Sequence, residues 1–217
     1  MKNPVEALCA GRGERKTLDM DELYNAIYDA GCIKFGEFKL KSGIVSPVYF
    51  DFRGLVSYPA LLSRVGKALA EKAREIGCDR IAGIPYAGLP LGVAASLAGN
   101  IPMIYPRKEA KDYGTRKLIE GTYAEGEKVL VIDDIITDGA SKIEAIEPLK
   151  EAGLVVTDVL VIFDREQGGD KILAKAGYRL HSISQLSNVL DALVTAGKID
   201  AEVRAKVKDF IKANQFA

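Results

Sequence analysis

Apolar positions recur along this chain with two periods, and the changes between them outline its elements. Leu18-Asp19-Met20-Asp21-Glu22 has the form of a capping box, with Asp19 as N-cap and Glu22 three residues on. The helix it opens is expected to reach about Ala30 and to stop at Gly31. Phe35 to Leu40 and Pro47 to Phe52 predict two strands around the turn Lys41-Ser42-Gly43. Leu61, Val65, Ala68, Leu69, Lys72 and Ile76 mark an amphipathic helix ended by Gly77. From residue 80 strands alternate with helices. Strands are expected at 81–84, 101–105, 128–132, 155–163 and 178–183. Helices over 89–98 and about 139–152, and a short one before 178, separate them. Pro148 is expected to kink the 139–152 helix or end its regular part early. Leu186, Val189, Leu190 and Leu193 mark one C-terminal helix; Val203, Val207, Phe210 and Ile211, after the cap Asp200, mark another. Repeated βα units imply an α/β fold, a mostly parallel central sheet flanked by helices.

No internal repeat or low-complexity linker interrupts this pattern, so residues 1–217 are read as a single domain with a polar arm over 1–18. Residues 106–127 do break the alternation. Between Pro106 and Lys117 stand Arg107, Lys108, Lys111, Arg116 and Lys117, with almost no apolar residue. Such a stretch inside a compact domain is either solvated surface or a functional lid.

The densest chemistry lies at 129–141. The apolar run Val129-Leu130-Val131-Ile132 reads as a buried parallel strand ending at two adjacent carboxylates, Asp133 and Asp134. Ile135 and Ile136 lead into the turn Thr137-Asp138-Gly139-Ala140-Ser141, and a helical pattern follows. Backbone N–H groups and hydroxyls at a helix N-terminus suit a phosphate. Carboxylates beside it suit ribose hydroxyls. Asp138 lies inside this cradle, so its side chain is expected to point away from the phosphate. A solvated acidic pair is the alternative, but adjacent like charges after a buried strand repel unless donors or a cation share the site. Ala82 to Pro90, a strand-to-helix turn holding Gly83 and Gly88, either is an ordinary tight turn or presents amides to a diphosphate. Neither a GxGxxG fingerprint nor a Gly-Lys-Ser/Thr loop is present.

Composition narrows the classes. Thirty basic residues balance thirty acidic ones, which removes weight from general nucleic-acid binding. No apolar stretch reaches the roughly 18 residues a membrane span needs. The first 18 residues are polar, and a cytoplasmic protein is expected. Cys9, Cys32 and Cys78 fit neither a disulfide framework nor a zinc site. The single histidine, His181, sits in an expected strand, favouring a structural role and leaving little room for serine- or cysteine-hydrolase chemistry.

With these segments in hand, the chain from about 20 to 212 resembles the orotate phosphoribosyltransferases, closest to the transferase half of the UMP synthases. The 129–141 segment is similar to the phosphoribosyl-diphosphate (PRPP) motif shared by many phosphoribosyltransferases. Phe38 to Gly43, Arg107 to Gly114 and Phe163-Asp164-Arg165-Glu166-Gln167-Gly168-Gly169 are the segments that point to orotate. The resemblance implies a type I phosphoribosyltransferase fold, with residues 19–58 contributing to a small N-terminal hood. It implies Lys41, Tyr49 and Phe50 around the pyrimidine, and Arg165 with Thr137 on orotate. It implies Asp133 and Asp134 on the ribose hydroxyls, residues from Ile135 and Ile136 through Ser141 at the 5′-phosphate, and Tyr86 and Ala87 on the diphosphate. Arg107, Lys108, Lys111 and Tyr113 would belong to a loop, 106–118, that acts across a homodimer interface. Mg²⁺ would be carried mainly by PRPP, with no protein metal cage. Two positions depart from many bacterial members, which have lysine at Ala87 and histidine at Tyr113. A phosphoribosyltransferase for another base and a non-catalytic PRPP sensor are the alternatives. Fusion to a decarboxylase is not expected, since 217 residues leave no room for a second barrel.

Overall fold

Asp19 accepts hydrogen bonds from the backbone N–H groups of Asp21 and Glu22, at 3.0 and 3.2 Å, and so starts helix α1, Met20–Asp29. The computed structural model describes residues 19–39, 43–107 and 118–216. Gly31, at φ 73°, turns the chain into an antiparallel hairpin of β1, Ile33–Lys39, and β2, Val45–Phe50. The second strand ends two residues before the expected boundary. Asp51 takes up the N–H of Arg53 there and caps a 3₁₀ helix, Phe52–Ser57.

The remaining elements are α2 (Pro59–Ile76), β3 (Arg80–Gly83), α3 (Gly88–Gly99), β4 (Met103–Pro106), β5 (Ile119–Glu120), β6 (Lys128–Ile136) and α4 (Ala140–Glu151). After them come β7 (Val155–Asp164), α5 (Gly169–Lys175), β8 (Arg179–Gln185), α6 (Leu186–Thr195) and α7 (Ala201–Ala213). The six-stranded sheet has the order β5-β4-β3-β6-β7-β8, all parallel except β5. Sequence order reverses between β3 and β6, which opens a crevice at their carboxyl ends. No helix among the described residues is long and apolar enough to cross a membrane.

Alternation along β6 divides the core. Leu130 and Ile132 join the cluster beneath α1, α2, α3 and the hairpin; Val129 and Val131 join the one beneath α4 and α5. Helices α2 and α3 pack closely because Gly66 has no side chain. A Cβ there would lie 2.7 Å from the Ala94 backbone.

Three further features differ from the sequence expectations. Strand β6 does not stop at Ile132 but pairs with β7 through Asp133, Ile135 and Ile136, so both aspartates are strand residues. Asp133 sits opposite Val161 in the ladder, while Asp134 turns its backbone N–H onto the Asp133 carboxylate. Helix α4 passes through Pro148 to Glu151. The proline falls in the last turn, where it forfeits one hydrogen bond while buried Leu149 holds the helix down. The short β5 was not anticipated; its two residues pair with Tyr105 and Pro106 beside the basic segment.

Candidate active site

A cavity of about 400 Å³ opens at the carboxyl ends of β3 and β6, roofed by the hairpin. It gathers Tyr49, Phe50, Tyr86, Ala87, Asp133, Asp134, Ile135, Thr137, Asp138, Gly139 and Ser141 from separate stretches of chain.

The acidic pair forms its floor. Asp133 is buried and accepts the N–H of Asp134 at 2.9 Å. The Lys142 ammonium lies 2.8 Å from its other oxygen and donates to the Ile135 carbonyl at 2.5 Å. Lys142 is only 5% exposed although it stands in the first turn of a helix. Asp134 accepts the N–H of Ile135 at 2.8 Å. Burial, then the adjacent Asp133 charge, pushes its carboxyl up to about 7, against the pull of Lys142.

The following turn is shaped by Gly139, at φ 84°. Its left-handed backbone opens α4 with the first amides of the helix, and no side chain caps them except at Ala140. There Asp138 accepts the N–H at 3.1 Å. The carboxylate therefore turns onto the helix start and lines the cavity, contrary to the expectation that it points away. A two-residue Asx turn is the local reason. Ile136 and Ala140 do not line the cavity. Ile136 is fully buried, and its carbonyl receives the N–H of Arg165 at 3.2 Å; Ala140 faces solvent.

The wall opposite is the β3–α3 turn. Gly83 and Gly88 are required by contact: a Cβ on Gly88 would meet the Ile132 carbonyl at 2.5 Å, and one on Gly83 the Gly88 carbonyl at 2.5 Å. This closeness sets Tyr86 and Ala87 against the acidic pair. The Pro85–Tyr86 peptide is cis.

Arg165, just past β7, stands behind Thr137 and Phe50. It is 7% exposed, and its guanidinium carbon lies 5.5 Å from the centroid of the Phe50 ring. Nη1 donates to Thr137 Oγ1 at 3.4 Å, while Nε and Nη2 are buried with no partner among the described residues. Burial alone lowers its pKa to about 10. Its loop is fastened on both sides. Glu166 accepts the N–H and hydroxyl of Ser187, the Gln167 amide donates to the Asn214 carbonyl, and the Phe216 N–H donates to the Gln167 carbonyl. Gly169 is pressed on Ile136 and Thr137, where a Cβ would come within 2.7 Å.

Arg107 lies outside the cavity, paired with Glu120 at 3.2 Å. Lys41, Lys108, Lys111 and Tyr113 lie outside the described residues.

The phosphoribosyl transferase domain model matches residues 55–189. An orotate phosphoribosyltransferase of Caenorhabditis elegans is 37% identical over 188 residues, covering 86% of this chain and 83% of its own. The chain belongs to the orotate phosphoribosyltransferase family. It is also 45% identical to the uridine 5′-monophosphate synthase of Bos taurus over 199 residues, 91% of this chain and 42% of that protein. The solved UMP synthase of Leishmania donovani superposes with a TM-score of 0.84 at 40% identity, covering 90% of this chain and 42% of that one. The chain thus spans less than half the length of these two larger relatives.

Several pocket residues were not foreseen in the family motifs. Lys142 is one. Arg53 is another, joined to Asp51, the last residue of the hood segment Ser46 to Asp51 that resembles the family, by two hydrogen bonds of 2.7 and 2.8 Å. Among the described residues, Arg53 and Lys142 are the cations lining the cavity, and each is held by a carboxylate. His181 lies elsewhere, with Nε2 2.7 Å from Asp158, upstream on β7. Burial opposes ionisation of Asp158, but hydrogen bonds from Arg179, Thr157 and His181 outweigh it and hold its pKa at about 2. This is the structural setting expected of that histidine.

Proposed function

We propose that this chain transfers the phosphoribosyl group of PRPP to N1 of orotate, giving orotidine 5′-monophosphate and diphosphate, in pyrimidine (UMP) biosynthesis. The observation that carries it is Arg165. A buried guanidinium with two unpartnered nitrogens needs an anionic or strongly accepting ligand. The Arg165 guanidinium carbon lies 5.5 Å from the ring centroid of Phe50, which lines the cavity a pyrimidine would enter. An arginine fork suits the carboxylate that distinguishes orotate from uracil.

The other residues take their roles from where they stand. Asp133 and Asp134 accept the ribose hydroxyls. The 137–141 turn offers amides and two hydroxyls to the 5′-phosphate, once Asp138 releases the Ala140 N–H. Tyr86 and Ala87 border the diphosphate. With PRPP held at three points, the C1′–O bond loosens, positive charge develops on the ribose, and orotate N1 attacks C1′ as its proton passes to the departing diphosphate or to water. Lys108 and Lys111 of the basic loop, with Arg107 at its base, neutralise the departing diphosphate.

Mg²⁺ fits as a substrate-borne ion. Asp133 and Asp134, side by side on the cavity floor, suit an ion that arrives with the diphosphate and keeps its waters. Bound with PRPP it would supply countercharge to the diphosphate and ribose hydroxyls.

A homodimer is supported by an apolar cleft between α2 and α3. Val56, Val93 and Leu97 are 53%, 51% and 80% exposed around it. A second copy covering this face would bury these side chains. Cys32 and Cys78, both unpaired thiols, fit a reducing cytoplasm.

The test is to incubate the purified chain with PRPP, Mg²⁺ and orotate and identify products by mass. Orotidine monophosphate with diphosphate supports the proposal. Ribose 5-phosphate alone, from hydrolysis, contradicts it.

A further inference from the structure

Lys142 has no role in the chemistry above, yet its position is unusual. Lysine is rarely buried without a partner. Here the ammonium is driven beneath the acidic pair, 2.8 Å from Asp133, 2.5 Å from the Ile135 carbonyl and 3.4 Å from the Ser141 hydroxyl. These contacts tie together strand end, acidic pair and phosphate turn. We propose that Lys142 is a positioning residue whose ammonium fixes Asp133 and holds the acidic pair at a single net negative charge, ready for the ribose hydroxyls of PRPP. The inference rests on the function proposed above.

The argument is one of charge balance. Two adjacent carboxylates in a half-enclosed site cannot both ionise freely, because each raises the other. An internal cation removes much of that penalty. Asp133, between Lys142 and the Asp134 N–H, becomes the fixed member. Asp134 becomes the member whose charge follows pH, and its carboxyl is raised even with Lys142 present. Among the described residues, few other charged groups face the pair. Asp138 lies in the turn, engaged with Ala140. Asp51 and Arg53 face it from the hairpin and neutralise each other. Cys32, pushed up to about 11 chiefly by burial, stays a neutral thiol. Lys142 is therefore the internal cation that sets the balance.

The test reads PRPP binding by calorimetry, with Mg²⁺, from pH 5.5 to 9, beside KM for each substrate. Lys142→Met keeps bulk and removes charge. It is expected to weaken PRPP about tenfold at pH 7 and to move the acid limb of binding up by about one pH unit. KM for orotate is expected to stay within about twofold. Asp133→Asn leaves the ammonium beside Asp134 alone, so its acid limb moves down. The double variant restores the balance, and its limb returns to that of the unmodified protein. Opposite shifts that cancel are a signature that a packing role does not produce. Should Lys142→Met not fold, the downward shift in Asp133→Asn and its cancellation in the double variant carry the test. Limbs that coincide in all variants overturn the inference. An unmodified protein that binds PRPP without turning over orotate overturns the proposed function instead, leaving the charge balance readable from binding.

Discussion

The Arg165 guanidinium lies over the Phe50 ring, its carbon 5.5 Å from the centroid. One residue follows β7 of the main sheet; the other ends the hairpin. Their contact joins the hairpin to the sheet directly behind the cavity wall that Phe50 and Thr137 form. Arg165→Met keeps length and removes every donor. It is expected to lower kcat/KM for orotate by about 100- to 1000-fold, or roughly 3–4 kcal/mol. PRPP affinity should stay within about threefold. Steady-state kinetics in both substrates checks this, and an equal loss toward PRPP would show that Arg165 serves the fold rather than orotate.

Asp134 predicts a conflict between stability and binding. Its carboxyl is raised to about 7, so the folded protein holds a proton that the unfolded chain has already released above pH 4. Stability from this group therefore falls as pH rises from about 4 to 7 and is level beyond. Asp134→Asn should be the more stable protein at pH 7.5, by about 1–2 kcal/mol, with little difference near pH 4. The same variant should lose PRPP binding. Thermal unfolding at the two pH values decides the first point, and a variant less stable at pH 7.5 would refute it.

Close backbone approach at Gly88 gives a third expectation. A methyl group there would meet the Ile132 carbonyl at 2.5 Å and Asp133 Oδ1 at 3.4 Å. Gly88→Ala must push the β3–α3 turn away from the acidic pair. A loss of about 2–3 kcal/mol in stability and at least tenfold in PRPP affinity is expected. Gly54 is the control, since a methyl group added there would have nothing within 4 Å, and Gly54→Ala should be neutral to within about 0.5 kcal/mol. Denaturant melts and PRPP titrations of the pair measure both effects.

The dimer proposal is tested by complementation. Lys111→Ala and Asp134→Ala chains should each be nearly inactive. Mixing them, with subunit exchange verified, should restore up to about a quarter of activity, because hybrids keep one site with both residues intact. No recovery would place the loop in its own chain's cavity.

Much of this site was legible because its chemistry is contiguous. Asp133 to Ser141 carries the acidic pair and the glycine turn in one run, and a strand followed by a helix brings them to the sheet's carboxyl edge. Arg165 was legible through its segment, Asp164 to Gly169, whose last glycine is explained by Ile136 and Thr137 packed against it. Lys142 was not. A lysine in a first helical turn reads as solvated, and its burial follows only because β6 runs on to Ile136 and brings Asp133 beneath it. The Asp51–Arg53 clasp was hidden likewise, since the 3₁₀ helix that forms it has no strong periodic signal. Asp138 misled because a cradle inferred from residue types alone ignores the Asx turn the residue can make with Ala140.

The most direct measurement is the initial rate of orotate loss, followed by absorbance, with purified protein, PRPP and Mg²⁺, and with uracil and the purine bases run in parallel. Consumption of orotate alone is the predicted result. Turnover of a purine or of uracil, or PRPP binding with no turnover of any base, would contradict the assignment of Arg165 to the orotate carboxylate.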